Sequence, residues 1–219
     1  MDRPTWIKER QRIALERMDH LHAPVYDVNW GNIAPTHEQW MQIFLDLCPS
    51  TGLILDAACG TGKYWPMILS SGRKVFGLDY SQGMLDQARV KFPQVPVAKI
   101  RMQDIDYAAA FDGAICMDVL ESVFPEDWLM VLTKLQNALR PSSYLYFTVE
   151  LMDEAEIEAA YQTAREKGLP VVYGEWAPEN RYHYYPKIEQ VKTWVQQAGF
   201  RRIDEAVGDD YHHFLVKKS

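Results

Sequence analysis

The most constraining feature of the chain is a rhythm. Five apolar runs, "LILDA", "KVFGLD", "VAKIRM", "FDGAICM" and "SYLYFTVE", follow one another between residues 53 and 150, with helical stretches between them. A helix is predicted near Lys63. A second is capped by Ser81 and carries Met84, Leu85 and Ala88. A third starts near Pro125 and places Trp128, Val131, Leu132, Leu135 and Leu139 on one face. Strand and helix alternating in this way predict a parallel sheet covered on both faces.

The rhythm breaks after Glu150. Residues 153–168 read as an acidic helix, and 170–186 as an irregular stretch dense in aromatic rings. A helix over 187–198 follows, with Ile188, Val191, Trp194, Val195 and Ala198 on one face and Gly199 as its cap. "FRRIDEAV" and "YHHFLVKK" close the chain as a hairpin on the edge of the sheet, which makes the sheet mixed. Upstream, residues 5–19 predict a charged surface helix. Thr36 and Gln39 predict a capping box for a helix carrying Trp40, Ile43, Phe44 and Leu47.

No Gly/Ser linker divides the 219 residues, so residues 1–219 are expected to form one domain. Residues 1–49 are expected to form a helical cap and 151–186 an inserted lid. No apolar run approaches the ~20 residues of a membrane span, and the charged N-terminus lacks the apolar core of a secretory signal. The expected compartment is the cytoplasm. Three widely spaced cysteines, Cys48, Cys59 and Cys116, suggest reduced thiols and neither a disulfide frame nor a zinc site. With a formal net charge of −7 and no basic cluster, a nucleic acid is not the expected partner; a small molecule is.

"LILDAACGTGKYW", residues 53–65, ends a buried strand in Asp56 and enters a turn spaced by Gly60 and Gly62. A nicotinamide fingerprint would place a third glycine where Trp65 stands, and a phosphate loop would need the Walker lysine with its hydroxyl neighbour. Neither is present. A second apolar run ends in Asp79, beside the end of the first strand in a doubly wound fold. A carboxylate there can accept both hydroxyl protons of a ribose, with Tyr80 against an adenine. A third acid, Asp104, closes "VAKIRMQD", where it can accept an exocyclic amine.

Together these segments resemble the class I S-adenosylmethionine-dependent methyltransferases of the small-molecule type. The matching residues are "LDAACGTG", "GLDYSQGML", "MQDID" and "FDGAICMDVLESV", with "ALRPSSYLYFTVE" and "AGFRRIDEAV" matching later segments. The resemblance implies a doubly wound, seven-stranded α/β sheet of order 3-2-1-4-5-7-6, its seventh strand antiparallel, with helices on both faces. It implies S-adenosyl-L-methionine as cofactor and S-adenosyl-L-homocysteine as product. The cofactor-binding set it implies is Asp56, Ala58, Gly60, Gly62, Asp79, Tyr80, Met84, Asp104, Ile105 and Met117. Asp56 either bonds loop amides only or meets the cofactor amine.

The acceptor is expected on the other side. Asp118 and Glu121 follow the fourth strand and either line the site or serve as helix-start acids. His183 and Glu121 are the candidate catalytic groups, His183 being a base or a packing histidine. Tyr26, Trp30, Asp118, Trp176, Tyr182 and Tyr184 are the candidate substrate-binding residues. The rings of the insert either pack it onto the domain or wall a pocket for a flat acceptor. The expected reaction is metal-free methyl transfer to O, N, S or C by alignment and proximity. The alternative is a methyltransferase-like subunit that holds the cofactor for a partner.

Overall fold

Alternate residues of each strand go to opposite faces of the sheet, and the apolar pattern of this chain fills both. The computed structural model describes residues 1–219. In chain order the strands are β1 (Leu53–Ala57), β2 (Lys74–Asp79), β3 (Val97–Lys99), β4 (Phe111–Cys116), β5 (Leu139–Glu150), β6 (Glu175–Trp176), β7 (His183–Tyr184), β8 (Phe200–Gly208) and β9 (Tyr211–Lys218). The α-helices are α1 (Arg3–Arg17), α2 (Tyr26–Trp30), α3 (Pro35–Leu47), α4 (Trp65–Ser70), α5 (Gln82–Lys91), α6 (Trp128–Ala138), α7 (Glu154–Glu166) and α8 (Ile188–Gln197).

Seven strands form one sheet in the order β3-β2-β1-β4-β5-β9-β8. Strands β1 to β5 pair in parallel, whereas β9 runs antiparallel to both β5 and β8. Numbered without the separate two-stranded β6–β7 hairpin, this is the order 3-2-1-4-5-7-6 that the resemblance implies.

Leu55, Ala114, Cys116, Leu145, Phe147 and Phe214 face a core shared with α6 and α8. Their strand neighbours Ile54, Ile115, Tyr146 and Leu215 face a second core, filled by Trp40, Met41, Phe44 and Leu45 of α3 and by Trp65 and Ile68 of α4. The sheet is thus covered on both sides. The strand order reverses between β1 and β4, and the C-terminal ends of the parallel strands leave a crevice there.

Several boundaries differ from the sequence reading. Helix α3 opens at Pro35, with Ala34 as N-cap and no side-chain cap. Proline suits the first helical position, so Thr36 falls inside the helix and cannot cap it. Its amide donates instead to Asp209 Oδ2 at 2.7 Å. Helix α4 starts at Trp65 and α6 at Trp128, both later than expected. Helix α1 is more than a surface helix, since Trp6 is buried between Phe124 and Tyr182 in edge-on contact with both. No helix is long and apolar enough to cross a membrane.

Candidate active site

The loop after β1 is shaped by three residues in the left-handed region: Ala58, Gly60 and Gly62. The two glycines do different work. A side chain on Gly60 would meet nothing within 4 Å, so its bare backbone faces open space. A Cβ on Gly62 would lie 2.6 Å from the Trp65 ring, so Gly62 is the seat of that indole. Trp65 in turn donates its ring N–H to Asp56 Oδ2 at 2.8 Å. The residue that breaks the nicotinamide fingerprint is therefore what orients the acid at the end of β1. Burial pushes the Asp56 carboxyl up to about 7, and Asp79 and Asp118 add to the push.

Asp79 ends β2 and clamps the loop. Its Oδ2 accepts from the Gly60 amide at 2.8 Å, and its Oδ1 from the Ser81 amide at 2.7 Å. Burial raises its pKa, against the opposing pull of these amides. Ser81 caps α5 by accepting from the Met84 amide at 3.1 Å, as its position predicts.

Asp118 follows β4 at φ +54°, a backbone state that costs most side chains energy. Its carboxylate is fully engaged. Oδ1 accepts from His37 Nε2 at 2.9 Å and from the Thr148 hydroxyl at 3.1 Å. Oδ2 accepts from the Tyr64 hydroxyl at 2.8 Å and from Lys63 Nζ at 3.4 Å. Burial opposes the charge, but His37, Lys63 and Tyr64 outweigh it and bring the pKa down to about 2.

These groups line one cavity of about 480 Å³ at the strand ends. Of the cofactor set, Asp56, Ala58, Gly60, Asp79, Tyr80, Met84 and Met117 face it, and of the acceptor set Tyr26, Asp118 and Tyr182 do. Another wall comes from α1 and its C-cap, through Gln11, Leu15 and Met18. Sparse apolar positions in a charged helix gave little sign of that role. Met102, Gln103, Val123 and Phe124 also line it, and the sequence reading had not singled them out.

Other expected residues are placed elsewhere. Gly62 sits behind the wall for the reason just given. Asp104 turns outward, held by Arg101 at 2.6 and 3.1 Å, and Met102 and Gln103 take the inward positions of that turn. Ile105 is in the core. Trp30 is 46% exposed and leans on Tyr26 and His22. Tyr184 packs edge-on to Trp128, and Trp176 lies against His183 and a groove along α7. Neither Trp176 nor Tyr184 lines the cavity at the strand ends; both lie in the β6–β7 hairpin, where Glu175 pairs with Tyr184 and Trp176 with His183. Tyr182 alone of the three reaches the cavity, stacked on Phe124 at 3.9 Å with its hydroxyl donating to Glu175.

His183 and Glu121 also lie off the cavity wall. His183 Nδ1 is 2.7 Å from Glu150 Oε2 and 3.0 Å from the Tyr185 hydroxyl. Burial disfavours its charge, yet Glu150 and Glu121 outweigh this and its pKa rises. Glu121 is 8% exposed, and burial with the charge of Glu150 nearby pushes its carboxyl up to about 8.

The fold defines a class: a Rossmann-like, doubly wound sheet with a mixed edge. Residues 54–142 match a family profile described as a methyltransferase domain. YqeM of Bacillus subtilis, provisionally named a methyltransferase, is 32% identical over 58% of this chain and 53% of its own length. The first curated relatives are matched over about half of their length or less. Two solved structures are similar in fold. One is the Burkholderia thailandensis 1,6-didemethyltoxoflavin-N1-methyltransferase with bound 1,6-didemethyltoxoflavin and S-adenosylhomocysteine. It aligns at TM-score 0.73 and 17% identity, over 100% of this chain and 92% of that one. The other is the magnesium protoporphyrin IX methyltransferase of Synechocystis with bound S-adenosylhomocysteine, at TM-score 0.70 and 15% identity, over 96% and 100%. Over residues 54–142 the chain is thus similar to methyltransferase domains, and its fold is the one these solved structures share.

Proposed function

We propose that the protein transfers a methyl group from S-adenosylmethionine to a small-molecule acceptor. The observation that carries this reading is the Asp79–Gly60 clamp: a carboxylate held by backbone amides, beside a loop whose bare backbone faces a cavity. The cradle suits the cofactor. Asp79 offers its remaining lone pairs to ribose hydroxyls. Tyr80, Met84 and Met102 give an apolar slot for adenine. Gly60 lets the backbone approach the amino-acid half, and Asp56 keeps one oxygen free of Trp65 for its ammonium.

When bound, the cofactor supplies an electrophilic methyl group. The chain's part is to align an acceptor with it and to exclude water. In this reading 1–49 and 151–186 are cap and lid. They meet where Arg3 donates to Glu175 at 2.8 and 2.9 Å, to Pro170, and to Glu126. Tyr182, Phe124, Val123, Leu15 and Met18 favour a flat, largely apolar acceptor. Buried, unbridged Cys48, Cys59 and Cys116 suit a reducing compartment such as the cytoplasm. The −7 net charge favours a small molecule over a nucleic acid.

Calorimetry with S-adenosylhomocysteine tests the reading. Asp79→Ala is expected to weaken binding by roughly 10- to 100-fold, the equivalent of ~1.5–3 kcal/mol. Asp153→Ala, at the exposed cap of α7, is expected to leave it unchanged. Equal affinities would overturn the placement of the ribose. Tight NADH binding without response to S-adenosylhomocysteine would overturn the cofactor.

A further inference from the structure

Helix α1 turns its cations, and none of its acids, toward the cavity at the strand ends. Lys8, Arg10 and Arg12 line that cavity beside Gln11 and Leu15. The acids of the helix are Glu9 and Glu16, and Arg12 takes both. Its Nε and Nη2 donate to Glu9 at 3.0 and 2.7 Å, and its Nη1 donates to Glu16. Arg12 is thereby neutralised. Arg10 also acts on Glu9, but only through space. Lys8 acts in the same way on Asp2, whose carboxylate caps the helix by accepting from the Thr5 amide. Lys8 and Arg10 are thus left without an ion pair in a chain of net charge −7.

Arg10 is held in place with one edge free. Its guanidinium carbon lies 6.0 Å from the centre of the Trp6 ring, one turn back along the helix. Its Nη1 donates to the Glu179 carbonyl, and its Nε is shut off without a partner. Its Nη2 is unbonded and stays open to solvent. Trp6 meets Phe124 and Tyr182 edge-on, and those two rings stack on each other and line the cavity. Arg10 therefore reaches the cavity on the side of this aromatic pair.

A planar guanidinium with an open N–H edge suits an anionic oxygen, and cleft walls of low dielectric strengthen the attraction. The other charges of the cavity are spoken for. Lys63 is paired with Asp118, and Arg101 with Asp104. The cofactor brings one anionic group, on the amino-acid half that the reading above seats at the glycine loop, whereas Arg10 is tied to the 179–182 stretch. We propose that Arg10 and Lys8 select an acceptor bearing an anionic group, a carboxylate or a phosphate, on a flat apolar body. The anion meets the free edge of Arg10, and the body lies against Tyr182 and Phe124. This rests on the methyltransferase reading above and narrows its acceptor class to anions.

The test titrates naphthoate, naphthyl phosphate and naphthylmethylamine calorimetrically, with S-adenosylhomocysteine present, into the full chain and into Arg10→Gln, Arg10→Lys and Lys8→Gln. Naphthoate or naphthyl phosphate is expected to bind the wild type at least about tenfold more tightly than Arg10→Gln, and whichever binds identifies the anionic group. Lys8→Gln, at an exposed position, is expected to weaken the anion less, and Arg10→Lys to restore part of the affinity. The amine is expected not to bind, and S-adenosylhomocysteine to bind all four proteins alike. Equal anion affinity in wild type and Arg10→Gln, no binding of either anion to the wild type, or a preference for the amine overturns the proposal. A role for Arg10 only in holding the Glu179 carbonyl would weaken every probe alike in Arg10→Gln and leave Lys8→Gln unchanged, and that result overturns it too. Failure of S-adenosylhomocysteine to bind the wild type overturns the methyltransferase reading itself.

Discussion

Asp118 and Glu121 stand three residues apart on one loop, both are largely buried, and the fold treats them in opposite ways. Asp118 accepts from His37, Thr148, Tyr64 and Lys63, and its pKa falls to about 2. Glu121 has one oxygen sealed off with no partner, and its pKa rises to about 8. The donors of Asp118 come from α3, the glycine loop and β5, elements far apart in the chain. Burial alone does not decide the charge of an acid; the number of donors aimed at it does. A saturated carboxylate holds structure together. A buried one short of donors keeps its proton.

The largest expected effects come from breaking the saturated side. Asp118→Ala would leave Lys63, His37 and the Tyr64 hydroxyl facing a hole, and removing one partner of a buried ionic cluster costs about 3–5 kcal/mol. Denaturant unfolding is expected to show that loss. The wild-type contribution of Asp118 is present above pH about 4 and is lost as pH falls toward about 2, the sign for a carboxyl whose folded pKa is depressed. A variant as stable as wild type at pH 7 would mean the network contributes little.

Arg3→Ala probes a second saturated acid. Glu175 is fully buried and accepts from Arg3, from the Tyr182 hydroxyl and from the Val172 amide. Arg3 keeps about a fifth of its side chain exposed, so the expected cost is roughly 2–3 kcal/mol, below that of Asp118→Ala. Hydrogen exchange is expected to quicken in α1 and in 170–185 ahead of the sheet. Uniform exchange across the molecule would deny that Arg3 latches α1 to residues 170–185.

Glu121→Gln probes the bare side and carries the opposite sign. A carboxyl whose folded pKa is raised holds a proton that the unfolded chain releases. Wild-type stability therefore falls as pH rises from about 4.5 to about 8. Glutamine does not titrate, so the variant is expected to gain on the wild type across that window, by up to a few kcal/mol above pH 8. Melting curves from pH 4 to 9 check this; parallel curves would show that Glu121 is solvated and unshifted.

Asp104→Ala is expected to do least. Its ion pair with Arg101 is exposed, and such pairs are worth ~0–1 kcal/mol. Cofactor affinity should stay within about twofold. A large loss would show that the turn at 102–104 rearranges to bring this acid inward.

Much of this molecule was legible in one dimension because it rests on local periodicity. Parallel strands buried on both faces need continuous apolar runs, and helices covering them need a stripe, so the order of elements and the class of sheet follow from composition along the chain. The acids at strand ends were legible for the same reason: Asp56, Asp79 and Asp118 each stand where an apolar run stops. What the pattern could not carry was direction. Whether Asp104 faces a cavity or Arg101, whether Trp176 covers a pocket or packs on α7, and whether Gly62 meets a ligand or an indole depend on contacts with residues distant in sequence. The contrast between Asp118 and Glu121 belongs to that second kind. A side chain's identity is written in the chain, but its charge is set by the donors and the dielectric around it, and only the folded arrangement brings those together.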